Sequence, residues 1–203
     1  MDDTTHAQTI AYDDAWLVGG ARTPFADYNG TLRDVSATDL GIKAAREALE
    51  STGVSPDRID AVVAASVAQT SFDAFFLPRH IVLYSGLPIG VPALLVQRLC
   101  TSGFEAILQA ADQLALGKSR AVLCVGTESM SRNPIAAYSH QYRQGSVVCL
   151  CFFSDDVILR DPSVQYFLIL AISPSLPGTN LPPPPGAPCN PTPYLVCTPR
   201  VAV

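Results

Sequence analysis

The sequence predicts an α/β fold: a layered βα unit with a mostly parallel sheet, followed by an irregular Pro-rich tail. Three observations predict it. Short apolar runs alternate with segments of helical period from Ala15 to about His140. The runs, such as Ile59–Val67 (IDAVVAASV) and Ala121–Val125 (AVLCV), are apolar almost without interruption. That marks strands buried on both faces by helices, as in parallel sheets. Beyond Arg143 the only charged residues are Asp155, Asp156, Arg160, Asp161 and Arg200, and most of the 17 prolines lie past Arg160. The alternation therefore ends near Tyr138–Gln144, where composition shifts to an apolar, Pro-rich segment. Three regions follow: a polar tail over 1–14, a domain over 15–140, and a Pro-rich tail over 141–203.

Ala15–Gly20 is the first apolar run and reads as a strand. Ser36 or Thr38 can cap a helix over Asp39–Ser51, with Leu40, Ala44, Ala48 and Leu49 on one face. Gly53 ends it, as glycine commonly does past a helix C-terminus. Ile59–Val67 is the second strand. Pro78–Ser85 suits a short helix closed by Gly86. Pro92–Leu99 is the third strand, and Cys100–Leu116 is the longest helix. Phe104, Ile107, Leu108, Ala111, Leu114 and Ala115 recur there at helical spacing, and Gly117 closes it. Ala121–Val125 is the fourth strand. In the tail, Val147–Phe153 and Val164–Ile172 are strand-like but too short for a membrane helix, which needs about 20 residues. Pro182–Pro185 with Pro188, Pro191 and Pro193 favours polyproline II and disorder.

Composition excludes several functions. The net charge is −5 and the isoelectric point is near 5.0. No Lys/Arg run appears, so a nucleic-acid partner is not expected. Met1–Asp14 has no basic region followed by an apolar core, so the six cysteines read as reduced cytosolic thiols in a cytoplasmic protein. No Cys or His pair has metal-ligand spacing; Cys149-x-Cys151 is too short for the usual zinc pattern, so no metal is expected. G-x-G-x-x-G is absent, and Leu17-Val18-Gly19-Gly20 reads as a plain strand end. Asp13-Asp14 and Asp155-Asp156 read as solvated surface charges.

The strand–turn–helix around Cys100 carries the chemistry. An apolar run (Leu94, Leu95, Val96, Leu99) ends at Cys100, and Thr101-Ser102-Gly103 lead into the helix. A helix start leaves backbone N–H groups unsatisfied and is positive, which stabilises a thiolate. The local pattern also admits a buried structural cysteine, since free Cys is among the most buried residue types.

Three blocks give this chain a family likeness. Gly20–Phe25 (GARTPF) resembles the end of a first strand. Val96–Ile107 (VQRLCTSGFEAI) resembles a nucleophile block, usually V-N-R-L-C-G-S-G-x-x-A-I. Gly126–Pro134 (GTESMSRNP) resembles a strand end of the form G-x-E-S-M-S-x-x-P. In this order they resemble the amino-terminal half of the thiolases, the acetyl-CoA acetyltransferase and 3-ketoacyl-CoA thiolase family. Gln97 stands where Asn is usual, and Thr101, where a smaller residue is usual, adds bulk beside the acyl site. The resemblance implies one copy of a duplicated βα half. It implies acyl-CoA and acetyl-CoA as substrates, with no bound cofactor, and Cys100 as the acyl-accepting nucleophile of a C-acyltransferase in fatty acid metabolism. It also implies that Glu128, Ser129 and Met130 support the substrate loops, where packing serves equally well.

The likeness covers about Trp16–His140. A complete family member is roughly twice as long, and its second half supplies a His in G-H-P, an Asn in N-E-A-F and a Cys in C-x-G-G-G. None of these motifs occurs in this sequence. His6, His80 and His140 lie in other contexts, and His80 and His140 read as surface residues. Two functions are therefore expected as alternatives: a truncated, catalytically incomplete acyltransferase, or a non-catalytic fragment acting as a homo-oligomer or bound to full-length thiolase subunits. The change after Gln144 is expected to come from a shifted reading frame, an alternative exon or a mistaken gene model.

Overall fold

A computed structural model describes residues 12, 15–68 and 70–133 with their side chains, and the backbone of four strands beyond them. The main sheet has five strands: β1 (Trp16–Gly19), β3 (Ala61–Ala65), β4 (Ala93–Val96), β5 (Ala121–Gly126) and β8 (Leu168–Ile172), in the order β1-β8-β5-β3-β4. Two further pairs join β2 (Ala21–Arg22) to β9 (Arg200–Val201) and β6 (Ala136–Ala137) to β7 (Cys149–Leu150). The helices are α1 (Ala37–Thr52), α2 (Leu77–Tyr84) and α3 (Ser102–Ala115).

β3 pairs parallel with both β4 and β5. β8 runs antiparallel to β1 and β5, so the other four strands point one way. It comes from the compositionally distinct stretch after Gln144, yet it takes an interior place in the sheet. An apolar run read alone has no direction, which is why alternation did not disclose the reversed strand.

Connection handedness distributes the helices. β1 to β3 and β3 to β4 step in one sense across the sheet, while β4 to β5 steps back. With right-handed crossovers, the first two put α1 and α2 on one face and the third puts α3 on the other. Residues of β3 alternate between the two cores that result: Val62 and Ala64 face α1 and α2, and Ala61, Val63 and Ala65 face α3. In β5, Leu123 and Val125 take the first side, and Val122 and Cys124 the second. Every residue of β3 is buried, as its unbroken apolar sequence implies.

Local signals act as read, with shifted ends. Ser36 is the α1 cap: its hydroxyl accepts from Asp39 N–H at 3.0 Å and donates to the Asp39 carboxylate at 2.7 Å. Gly53, Gly86 and Gly117 all hold positive φ where the three helices end. Leu40, Ala44, Ala48 and Leu49 are buried as expected. Gly41 lets α1 approach its neighbours, since a Cβ there would lie 3.0 Å from Ile81 Cδ1 and 3.3 Å from Thr127 Cγ2.

Candidate active site

Three strand ends meet at the carboxyl edge of the sheet: β3 leads into Ser66–Ala68, β4 into Gln97–Thr101, and β5 into Thr127–Ser129. In open α/β sheets this is the edge where ligands bind.

β4 stops at Val96 rather than running to Leu99. The expected helix start also moves, because α3 begins at Ser102 with Thr101 as its cap. Cys100 therefore precedes the helix instead of lying in its first turn. The physical reason is Leu99, whose φ of 51° breaks both elements. The turn closes on itself. Thr101 donates both its N–H (3.2 Å) and its hydroxyl (2.7 Å) to the Arg98 carbonyl. Ser102 donates its N–H to the Leu99 carbonyl at 3.0 Å. The Arg98 guanidinium reaches the Glu105 carboxylate on α3 at 2.9 Å. Cys100 is left free and exposed, whereas Cys124 is the buried cysteine. The buried structural reading that the local pattern also admitted for Cys100 does not hold there; the buried thiol is Cys124. Burial pushes its thiol up to about 12, and its Sγ lies 3.6 Å from the Ala106 carbonyl.

Glu128 ties the strand ends together. It is buried, and one carboxylate oxygen accepts from Val67 N–H at 2.7 Å and Ala68 N–H at 3.1 Å. The Ser66 hydroxyl lies 3.5 Å from the other oxygen. These bonds draw Ser66–Ala68 out of the strand pattern, so β3 ends at Ala65 and not at Val67. Burial raises the Glu128 carboxyl above the usual carboxylate range, against the opposing pull of the backbone N–H groups. Gln97 completes the link: its amide lies 3.5 Å from the Val67 carbonyl. Two neighbouring hydroxyls anchor α1 and the segment before it to the end of β5, Thr127 on the Ala37 carbonyl and Ser129 on the Val35 carbonyl at 2.8 Å.

The other singled-out residues lie apart from this constellation. The Arg22 guanidinium sits over the Phe25 ring at 4.6 Å. His80 is part-buried, with Nδ1 3.3 Å from the Asp73 carboxylate. His6, His140, Asp13-Asp14, Asp155-Asp156 and the cysteines after Cys124 lie outside the residues described with side chains. Among the described residues no group of three or more His, Cys, Asp or Glu is placed to hold a metal ion. No helix among them is long and apolar enough to cross a membrane. Sequence reasoning missed the left-handed Leu99 and the Glu128 tie to Val67 and Ala68. No local signal marks the first, since Leu rarely takes that conformation.

A doubly covered sheet with an exposed cysteine at a strand–helix turn defines a layered α/β protein. A family model described as "Thiolase, N-terminal domain" matches residues 15–161, and the chain belongs to the thiolase family. It is 44% identical over 119 residues to the mitochondrial 3-ketoacyl-CoA thiolase of Homo sapiens, covering 59% of this chain and 30% of that protein. The crystal structure of the human mitochondrial 3-ketoacyl-CoA thiolase in complex with CoA superimposes with a TM-score of 0.64 at 39% identity, over 68% of this chain and 36% of that one. An acetyl-CoA acetyltransferase from Syntrophomonas wolfei gives a TM-score of 0.63 at 35% identity, over 68% and 35% of the two chains. The chain spans about a third of the length of these relatives.

Proposed function

We propose that this chain supplies the nucleophile half of an acyl-CoA:acetyl-CoA C-acyltransferase site, with Cys100 as the acyl acceptor. The observation that carries the reading is the exposed Cys100 on a closed turn at the carboxyl edge of the sheet. The Cys100 thiolate attacks the thioester carbonyl carbon of an acyl-CoA, and the carbonyl π electrons move to oxygen. When they return, the bond to the CoA sulfur breaks. The acyl group stays on Cys100 as a thioester, and CoA leaves as its thiolate. The Cys100 backbone N–H serves as one donor to the transient oxyanion, where each such donor is typically worth about 10²–10³ in rate.

The second half-reaction needs more. Condensation with acetyl-CoA requires a base to take an α-proton, and the family's G-H-P and C-x-G-G-G motifs do not occur in these 203 residues. The reaction carried by these residues alone therefore stops at acyl-Cys100, and turnover requires acid/base groups from outside this sequence. The reading rests on coenzyme A thioesters as substrates, with no bound cofactor or metal, in a cytoplasmic setting.

Incubation of the purified chain with acetyl-CoA, followed by peptide mass mapping, tests this. Acetyl on Cys100, lost in Cys100→Ala, is expected, with no measurable thiolysis or condensation. Absence of acetyl-Cys100 removes the nucleophile assignment. A Cys100-dependent kcat in the ordinary range of about 1–10³ s⁻¹ removes the claim of incompleteness.

A second reading has its own support. Leu94 on edge strand β4, Leu99, and Phe104 and Leu108 one turn apart on α3 are all exposed. Such a row suits association with another copy or with full-length thiolase subunits, and a fragment of this kind acts as an interaction partner without catalysis. Light scattering across a concentration series separates the two: a clean monomer at all concentrations excludes self-association through this row.

A further inference from the structure

We infer that Ser102 and Leu99 are positioning residues for Cys100: the Ser102 hydroxyl clamps Leu99 in the left-handed conformation that presents the thiol. The inference rests on the reading of Cys100 as the nucleophile.

The Ser102 side chain is buried and bonded in both directions. Its oxygen accepts from Arg98 N–H at 2.7 Å, and its hydroxyl donates to the Leu99 carbonyl at 2.6 Å. One hydroxyl thus grips the chain on both sides of the Arg98–Leu99 peptide and fixes the residue before Cys100. Leu99 needs that grip. Its φ is 51°, a conformation that side chains with a Cβ rarely hold. Packing does not hold it there, because Leu99 is 66% exposed. Hydrogen bonding does: Thr101 and Ser102 close successive turns onto Arg98 and Leu99. Backbone strain held by surrounding bonds is a recurrent feature of functional sites. Removing the hydroxyl leaves the Arg98 N–H without this partner and lets Leu99 fall back to negative φ. The thiol is then reoriented while the rest of α3 stays in place.

The test is made on the full chain with Ser102→Ala, Leu99→Val, Leu99→Gly and the double variant Leu99→Gly/Ser102→Ala. Three quantities are read: the iodoacetamide rate at Cys100 by peptide mass spectrometry, the acetyl-CoA transfer rate to Cys100, and the thermal melt. Ser102→Ala lowers the Cys100 rates by about five- to thirtyfold, the range matching the penalty of a left-handed residue. Leu99→Val, whose branched Cβ resists positive φ, lowers them similarly, and its melt falls only by what that strain costs, because the exposed side chain contributes no core packing. Glycine takes positive φ freely, so the double variant recovers most of the loss, the non-additivity expected of two residues in one hydrogen-bonded turn. The inference is overturned if Ser102→Ala and Leu99→Val both stay within about twofold of the parent, or if the double variant is no faster than Ser102→Ala. Should acetyl transfer be absent in every protein while the alkylation rates follow the expected order, the acyl-transfer reading fails and the clamp stands.

Discussion

Replacing Glu128 isolates what holds the three strand ends together. Its carboxylate receives two backbone N–H groups on one oxygen, Val67 at 2.7 Å and Ala68 at 3.1 Å. Glu128→Ala removes the shared acceptor and leaves both N–H groups without this partner. Each buried donor left unsatisfied costs about 1–3 kcal/mol, so the pair costs about 2–6 kcal/mol. For a chain of this size that corresponds to a fall of roughly 4–24 °C in melting temperature. Glu128→Gln is the informative partner. The amide oxygen can take the place of the shared carboxylate oxygen, and the NH₂ then faces the Ser66 hydroxyl. Both backbone bonds survive and the buried charge is gone, so this variant stays within about 1 kcal/mol of the parent at neutral pH. The pH dependence has a definite sign. Burial raises the folded carboxyl, so the folded state binds the proton more tightly than the unfolded chain. Stability therefore falls as pH rises from the unfolded carboxylate range through the raised folded value. Glu128→Gln lacks that titration, so the parent gains stability relative to it as the solution is acidified. Urea melts of the three proteins at several pH values measure all of this. Glutamine and alanine variants of equal stability, or an alanine variant within about 0.5 kcal/mol of the parent, would refute the reasoning.

Three further outcomes follow from the described residues. In the native protein at pH 8, iodoacetamide labels exposed Cys100 and leaves Cys124 unmodified until the chain unfolds, because the Cys124 thiol is buried and pushed up to about 12; native labelling of Cys124 would contradict the buried packing under α3. Asp60 accepts from the Arg120 N–H and guanidinium and from the Ala121 N–H, and the Arg120 hydrogen bond holds its carboxyl below the usual range. Asp60→Asn therefore costs about 1 kcal/mol at neutral pH, and the deficit disappears as pH falls through the depressed folded value; a deficit that persists in acid would count against it. Gly41→Ala forces a Cβ against Ile81 and Thr127, and overpacking of about 1–3 kcal/mol outweighs a helix-propensity gain of about 1 kcal/mol; a chemical denaturation curve showing stabilisation would mean that Ile81 yields freely.

Element types were legible because they rest on local chemistry. The Ser36 cap, the glycines after each helix and the unbroken apolar strands act over a few residues, and the folded chain uses each of them. The element ends near the site were not legible, because distant partners determine them. β3 stops where Glu128, some sixty positions away, captures Val67 and Ala68. β4 stops short for a nearer reason, the left-handed Leu99, which its residue type does not announce. The direction of β8 was hidden for a related reason: which way Leu168–Ile172 runs is settled by pairing with β1 and β5 and not by its own residues.

The same division separates Cys100 from its surroundings. Cys100 stood out because its sequence neighbours, an apolar run before it and Thr101-Ser102-Gly103 after it, are part of the turn itself. What makes the turn present the thiol is a set of bonds that the sequence shows only as ordinary residue types: a Leu, a Ser and an Arg. Ser102 would serve equally well as a cap residue in any helix. Its use as a two-way clamp appears only when the Arg98 N–H and the Leu99 carbonyl are found on opposite sides of one hydroxyl. A substitution that keeps the cap chemistry but lengthens the side chain is therefore not neutral at this position. Ser102→Asn can still accept from a backbone N–H, yet it cannot place a donor and an acceptor on a single atom, so the turn loses one of its two grips.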